Sequence, residues 1–147
     1  MKLIASFLIV LFSLSSAPWL TNFQKAKEEA AQEHKYILLS FSGSDWCVPC
    51  IHLHKAIFES EVFKNYADKN LILVNADFPR LNKNQLPKEQ TKQNEALADQ
   101  YNSKGIFPLT LLLDTNGDIV KRWEGFPDET PEKFVDEINN TVAHANP

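Results

Sequence analysis

The chain has 147 residues, of which 44% are hydrophobic and 23% charged. That is enough for one buried core, and too apolar a composition for a disordered chain. The formal net charge of −4 and the absence of any Lys/Arg stripe set nucleic acid aside as a partner.

The chain begins MKLIASFLIVLFSLSSAPW. A positive Lys2, an apolar run from Leu3 to Leu14 and the small residues after it have the order and proportions of an export leader. The run is shorter than the ~20 residues of a membrane span. A leader over residues 1–17 and a folded domain over 18–147 are therefore expected, with a periplasmic or otherwise extracytoplasmic site of action. Pro18 disfavours cleavage after Ala17, which leaves a cut after Ser15 or an uncleaved anchor open. No cysteine follows the run to carry a lipid.

Next, WLTNFQKAKEEAAQEHK predicts a helix with Trp19, Phe23, Ala26 and Ala30 on one face and Thr21 or Asn22 as cap. YILLSFS, Tyr36 to Ser42, is a continuous apolar run that suits a strand buried on both faces. From Cys50, CIHLHKAIFESEVFKNYA places Leu53, Ile57, Phe58 and Val62 at helical spacing. NLILVNAD is a second buried strand. FPRLNKNQLPKEQTKQN, 78–94, has two prolines and no periodicity, and reads as a long loop that either shapes the site or is a solvated insertion. NEALADQYN makes a short helix with Leu97 and Tyr101 facing inward. LTLLLD and DIVKRWEG flank TNG, a hairpin signal at Asn116-Gly117. TPEKFVDEINNTVA is a final amphipathic helix with Thr130 as cap and Pro131 in its first turn. Strands separated by helices pair in parallel, and the last two pair antiparallel. The fold class is α/β: a mixed four-stranded sheet with helices on both faces.

Both cysteines of the chain lie in SGSDWCVPCIHLH, two residues apart. A structural disulfide gains most by closing a long loop, and this one closes almost none. A helix beginning at the cysteines points its free N–H groups at Cys47, which favours the thiolate there. Cys47, facing solvent, is then the attacking sulfur. Cys50, one turn on and turned toward the core, resolves the mixed disulfide. Cys47, Cys50, His52 and His54 also have the chemistry of a zinc or copper set. His52 and His54, however, stand ~200° apart around a helix and cannot both join the sulfurs, so no metal is expected. Both histidines read as surface residues, and Trp19 and Trp123 as packing residues.

DWCVPC after a buried strand resembles the WCxxC motif of the thioredoxin superfamily, and GIFPLTLLLD resembles its cis-proline segment. With NGDIVKRWEG and the terminal helix, the resemblance covers essentially all of the domain. FSGSDWC, NADFP and QLPKEQ are similar to exported members that include the C-terminal domain of the bacterial thiol:disulfide interchange reductase. The resemblance implies a thioredoxin fold with sheet order LILVNAD, YILLSFS, LTLLLD, DIVKRWEG. It implies Cys47 as nucleophile and Cys50 as resolving thiol, a cis Phe107–Pro108 bond, substrate pairing along the backbone of Phe107, and Trp46 as an apolar wall. The activity implied is thiol:disulfide exchange through the Cys47–Cys50 couple, with no other cofactor. The implied partners are disulfide-containing proteins or thiols and a membrane electron donor, and a monomer is expected. A reductase is the leading reading. A disulfide oxidase or isomerase of the same fold, or a non-catalytic peptide-binding module, are the alternatives. In one place the sequence departs from the family: Ser40 stands where many members carry a buried aspartate that takes the resolving thiol's proton. Asp45, Glu59 or water are left as substitutes.

Overall fold

Five consecutive buried residues run through the strand β2 (Tyr36–Ser42), the sheet's central member, in a computed structural model that describes residues 16–145. The expected leader therefore lies outside the described residues except for its last two. β2 pairs in parallel with β3 (Leu71–Asp77) and antiparallel with β4 (Leu109–Leu113), which pairs antiparallel with β5 (Ile119–Glu124). Gly117, at φ 93°, supplies the left-handed residue that the tight turn into β5 requires. These are the four expected strands in the expected order.

A fifth strand corrects the expectation. β1 (Trp19–Leu20) lies parallel to the outer edge of β3. Those two residues do not belong to the first helix. Asn22 is in an extended conformation and its side chain accepts from Lys25 N at 2.9 Å, so helix α1 (Phe23–Glu33) starts only there. The residues before the cap are free to extend and cover part of an otherwise open edge.

Alternation along β2 sorts the core into two layers. Ile37, Leu39 and Phe41 face α1 and α4 (Lys88–Tyr101), against Ala26, Ala30, Leu97 and Tyr101. Leu38 faces the other helices: α2 (Val48–Leu53), α3 (Glu61–Asn70) and α5 (Pro131–Ala145). Helix α4 begins at Lys88, inside the segment expected to be loop. Its first turns bury nothing apolar, only Asn94, Leu97 and Tyr101 being buried, so hydrophobic period could not reveal it.

The expected single helix after the cysteines is also broken. A π-helical turn spans His54–Phe58, and Ser60 caps a new helix. The wider turn advances the phase by one residue. Phe63 is fully buried in place of the expected Val62, which is 37% exposed. Burying such a side chain is worth about 1.5–3 kcal/mol, so the shift decides which residue belongs to the core.

On the α2 face the sheet changes character from one row to the next. Leu73, Leu38 and Leu112 are cross-strand neighbours. Two residues along, the same row reads Asn75, Ser40, Thr110, and beyond it Asp77 lies beside Ser42. Helix α2, with Cys50, sits over this polar end.

Candidate active site

β2 ends at Ser42, and a four-residue loop carries the chain to Cys47, the N-cap of α2. Cys47 is extended, and its Sγ accepts from the backbone N–H of Cys50 at 3.3 Å. Pro49 fits here because the first turn leaves its missing N–H without a helical acceptor to lose. The two sulfurs form a disulfide, with S–S 2.06 Å and Cα–Cα 5.2 Å. The Phe107–Pro108 peptide is cis.

The exposure of the cysteines differs from the expectation. Both are almost covered, Cys47 at 4% and Cys50 at 6%. What separates them is what they face. Cys50, and not Cys47, lines a chamber of about 380 Å³ together with Ser40, Ser42, Asn75, Leu53 and Pro108. Its outer wall is Trp19, whose ring lies 5.1 Å from that of Phe58.

Trp46 is fixed on three sides. Its Nε1 donates to Phe78 O at 2.7 Å, its ring meets Phe107 edge-on at 5.4 Å, and the Arg80 guanidinium carbon lies 3.7 Å from its ring centroid. Gly43 makes room for it, since a Cβ there would be 2.3 Å from Trp46 Cε2. Trp46, Phe78, Pro79, Arg80, Gly105 and Phe107 line an open groove beside the cis bond. The candidate site residues Trp46, Cys47, Cys50, Phe107 and Pro108 thus converge on one end of the sheet.

The segment after β3 is tied to this end by Asp45. Its carboxylate accepts from Arg80 N at 2.9 Å, Leu81 N at 3.0 Å and Asn84 Nδ2 at 3.0 Å. The hydrogen bond from Arg80 N, followed by that from Asn84, holds the Asp45 pKa below the usual aspartate value. Asp45 is therefore a clasp for the loop. Glu59, the other carboxylate named from sequence, stands exposed with its Oε1 3.4 Å from His54 Nε2. Neither carboxylate lines the chamber at Cys50.

His52 and His54 diverge as the helix geometry requires. His52 faces Phe126 at 6.4 Å, while His54 faces Trp19 at 6.3 Å and the rim of the chamber. Among the described residues no cluster of three or more His, Cys, Asp or Glu is placed to hold a metal ion.

Sequence reasoning missed Arg80 and the polar group under Cys50. Ser42 Oγ donates to Asn75 Oδ1 at 2.9 Å and lies 3.3 Å from Asp77 Oδ1. Ser44 N and Oγ donate to the two oxygens of Asp77 at 2.8 and 2.6 Å. The signal was present as polar residues two apart, Ser40/Ser42 and Asn75/Asp77, at the ends of otherwise apolar strands.

Residues 18–115 match the family model described as thioredoxin-like. The chain is 36% identical over 121 residues to the disulfide bond reductase DsbH of Chlamydia pneumoniae, covering 82% of this chain and 70% of that protein. A solved structure titled DsbH oxidoreductase superposes with a TM-score of 0.79 at 31% identity, covering 97% of this chain and 94% of the other. The oxidised C-terminal domain of DsbD from Neisseria meningitidis shares the fold, with a TM-score of 0.56 at 19% identity over 81% of this chain and 92% of the other.

Proposed function

The chain belongs to the thioredoxin-like family, and on that footing we propose that this thiol:disulfide oxidoreductase works outside the cytoplasm as a reductase of disulfides in proteins or small thiols. One observation carries the direction: the likeness to a protein named a disulfide bond reductase spans the whole Cys47–Cys50 site. In the reduced protein the Cys47 thiolate attacks one sulfur of a substrate disulfide, and the other substrate sulfur leaves as a thiol. Cys50 gives up its proton, its thiolate attacks Cys47 Sγ, and the second substrate thiol departs. Two electrons pass to the substrate and the Cys47–Cys50 bond forms.

The groove lined by Trp46, Arg80 and Phe107, next to the cis Phe107–Pro108 bond, receives the substrate segment. Export rests on the leader over residues 1–17, and no helix among the described residues is long and apolar enough to cross a membrane. Re-reduction then requires an electron donor reached from the membrane.

The test is the reduction potential, measured by equilibrating the protein with defined thiol/disulfide buffers and counting free thiols. A value near about −270 mV, where thioredoxin lies, supports a reductase. A value near about −120 mV overturns it in favour of a disulfide donor. No reversible couple at all leaves a peptide-binding module.

A further inference from the structure

Ser40 is 4% exposed and offers no carboxylate, yet the resolving thiol must lose a proton before it attacks. A chamber opens directly beside Cys50. At about 380 Å³ it has room for several water molecules, each of which occupies ~30 Å³ in the liquid. Its sheet-side wall is polar, formed by Ser40, Ser42 and Asn75. Next to Ser40 in register, the buried Thr110 Oγ1 has no hydrogen-bond partner among the described residues, and buried hydroxyls of this kind are commonly satisfied by ordered water. The wall leads to one carboxylate. Asp77 Oδ1 lies 3.3 Å from Ser42 Oγ, and Asp77 Oδ2 accepts from Ser44 Oγ at 2.6 Å, and both serines line the chamber.

We propose that Asp77 is the proton acceptor for Cys50, reached through chamber water and the hydroxyls of Ser42 and Ser44. This rests on the oxidoreductase reading. In the closing step the Cys50 S–H proton moves into the water chain, a hydroxyl passes one on, and Asp77 takes one up. The Cys50 thiolate attacks Cys47 Sγ, the Cys47–Cys50 bond forms, the bond from Cys47 to the substrate breaks, and the substrate sulfur leaves with the electron pair. Re-reduction runs the relay backward.

The other ionisable groups around the chamber are already committed. His54 and Lys55 stand at its rim on the π-helical turn. His54 lies against Glu59 with its side chain 52% exposed. Asp45 and Arg80 sit outside it, in the clasp and on Trp46.

The experiment mixes the reduced full-length protein with glutathione disulfide, quenches with acid at intervals and separates the species by mass. In wild type, closing follows attack and the Cys47–glutathione adduct stays scarce. In Asp77→Asn the adduct should accumulate, with closing slowed about 100-fold at neutral pH, the lower end of what a positioned base contributes. Its closing rate should then climb in proportion to hydroxide, whereas wild-type closing, with the acceptor in place, should rise less steeply with pH. Asp77→Glu should restore part of the rate, and His54→Gln should close as wild type does. Should Asp77→Asn fail to fold, Ser42→Ala, which leaves both Ser44 bonds to the carboxylate intact, reads the same step and should slow closing about tenfold. Wild-type closing and pH profile in Asp77→Asn, or the slowing appearing in His54→Gln instead, overturns the inference alone. A wild-type protein that forms no adduct with any disulfide removes the oxidoreductase reading, and this inference with it.

Discussion

The guanidinium carbon of Arg80 lies over the ring of Trp46, 3.7 Å from its centroid, while the backbone N–H of the same arginine donates to the carboxylate of Asp45, Trp46's neighbour in sequence. One residue just beyond the end of β3 thus touches both the indole next to Cys47 and the loop that bears it. A cation–π contact at an exposed site is worth ~0.5–1 kcal/mol, enough to bias the ring's position but not to hold it alone.

Gly43 should be intolerant of a side chain. Alanine there would place its Cβ 2.3 Å from Trp46 Cε2, and something must move. Gly43→Ala is expected to cost about 1–3 kcal/mol, as overpacking does. It should also displace the Trp46 indole from Phe78 O. Urea unfolding and the indole N–H resonance of Trp46 check both. A wild-type midpoint with an unshifted resonance refutes the contact.

The clasp has a pH dependence with a definite sign. Hydrogen bonds to the ionised form depress the Asp45 pKa in the folded protein. The contribution is therefore complete above the unfolded value of about 3.9 and is lost as pH falls through the lower folded value. The amide resonances of Arg80 and Leu81 should move together below about pH 4 in wild type. In Asp45→Asn they should already be displaced at neutral pH and show no such step.

Ser60 holds the junction where the π-helical turn meets α3. Its Oγ accepts from Phe63 N at 3.2 Å and donates to Ile57 O at 2.7 Å. Ser60→Ala should cost ~1 kcal/mol, the usual loss at an N-cap, and Ser60→Thr much less. Equal losses in the two variants, read from denaturant midpoints, would argue against the cap.

In the reduced protein, brief exposure to iodoacetamide should label Cys47 at least about tenfold faster than Cys50. Tenfold is the gain in thiolate from lowering a thiol pKa by about one unit. Peptide mass mapping after a short pulse measures the ratio. Equal labelling would show that the N–H of Cys50 does not single out the Cys47 sulfur.

Local chemistry was legible in the sequence, and spatial chemistry was not. Cys47, Pro49 and Cys50 declare a helix start with thiols on it because capping is a matter of neighbouring residues. Three of the four main strands were legible as apolar runs, and β5 as the second arm of the hairpin at Asn116-Gly117. The start of α4 was hidden because its first turns bury no apolar residue. The break at His54–Phe58 was hidden because a π-turn changes the phase without changing the composition. The bonds of Ser42 and Ser44 to Asp77 span 33 to 35 residues, and nothing local announces such a meeting. The clasp of Asp45 on Arg80 and Leu81 escaped for the same reason.

The row where Leu73, Leu38 and Leu112 give way to Asn75, Ser40 and Thr110 divides the sheet into two ends of unequal strength. Below it, each strand is sealed by hydrocarbon against α3 and α5. Above it, that face of the same strands is held by bonds that water can replace, while Phe41, Ala76 and Leu109 keep the opposite face closed. Local opening favours regions with few apolar contacts, so the polar face beneath the disulfide is expected to admit water before the leucine row does. On the proposed function, a substrate strand arriving beside Phe107 meets a sheet that is polar on one face and backed on the other by a dry apolar layer, which serves as its anvil.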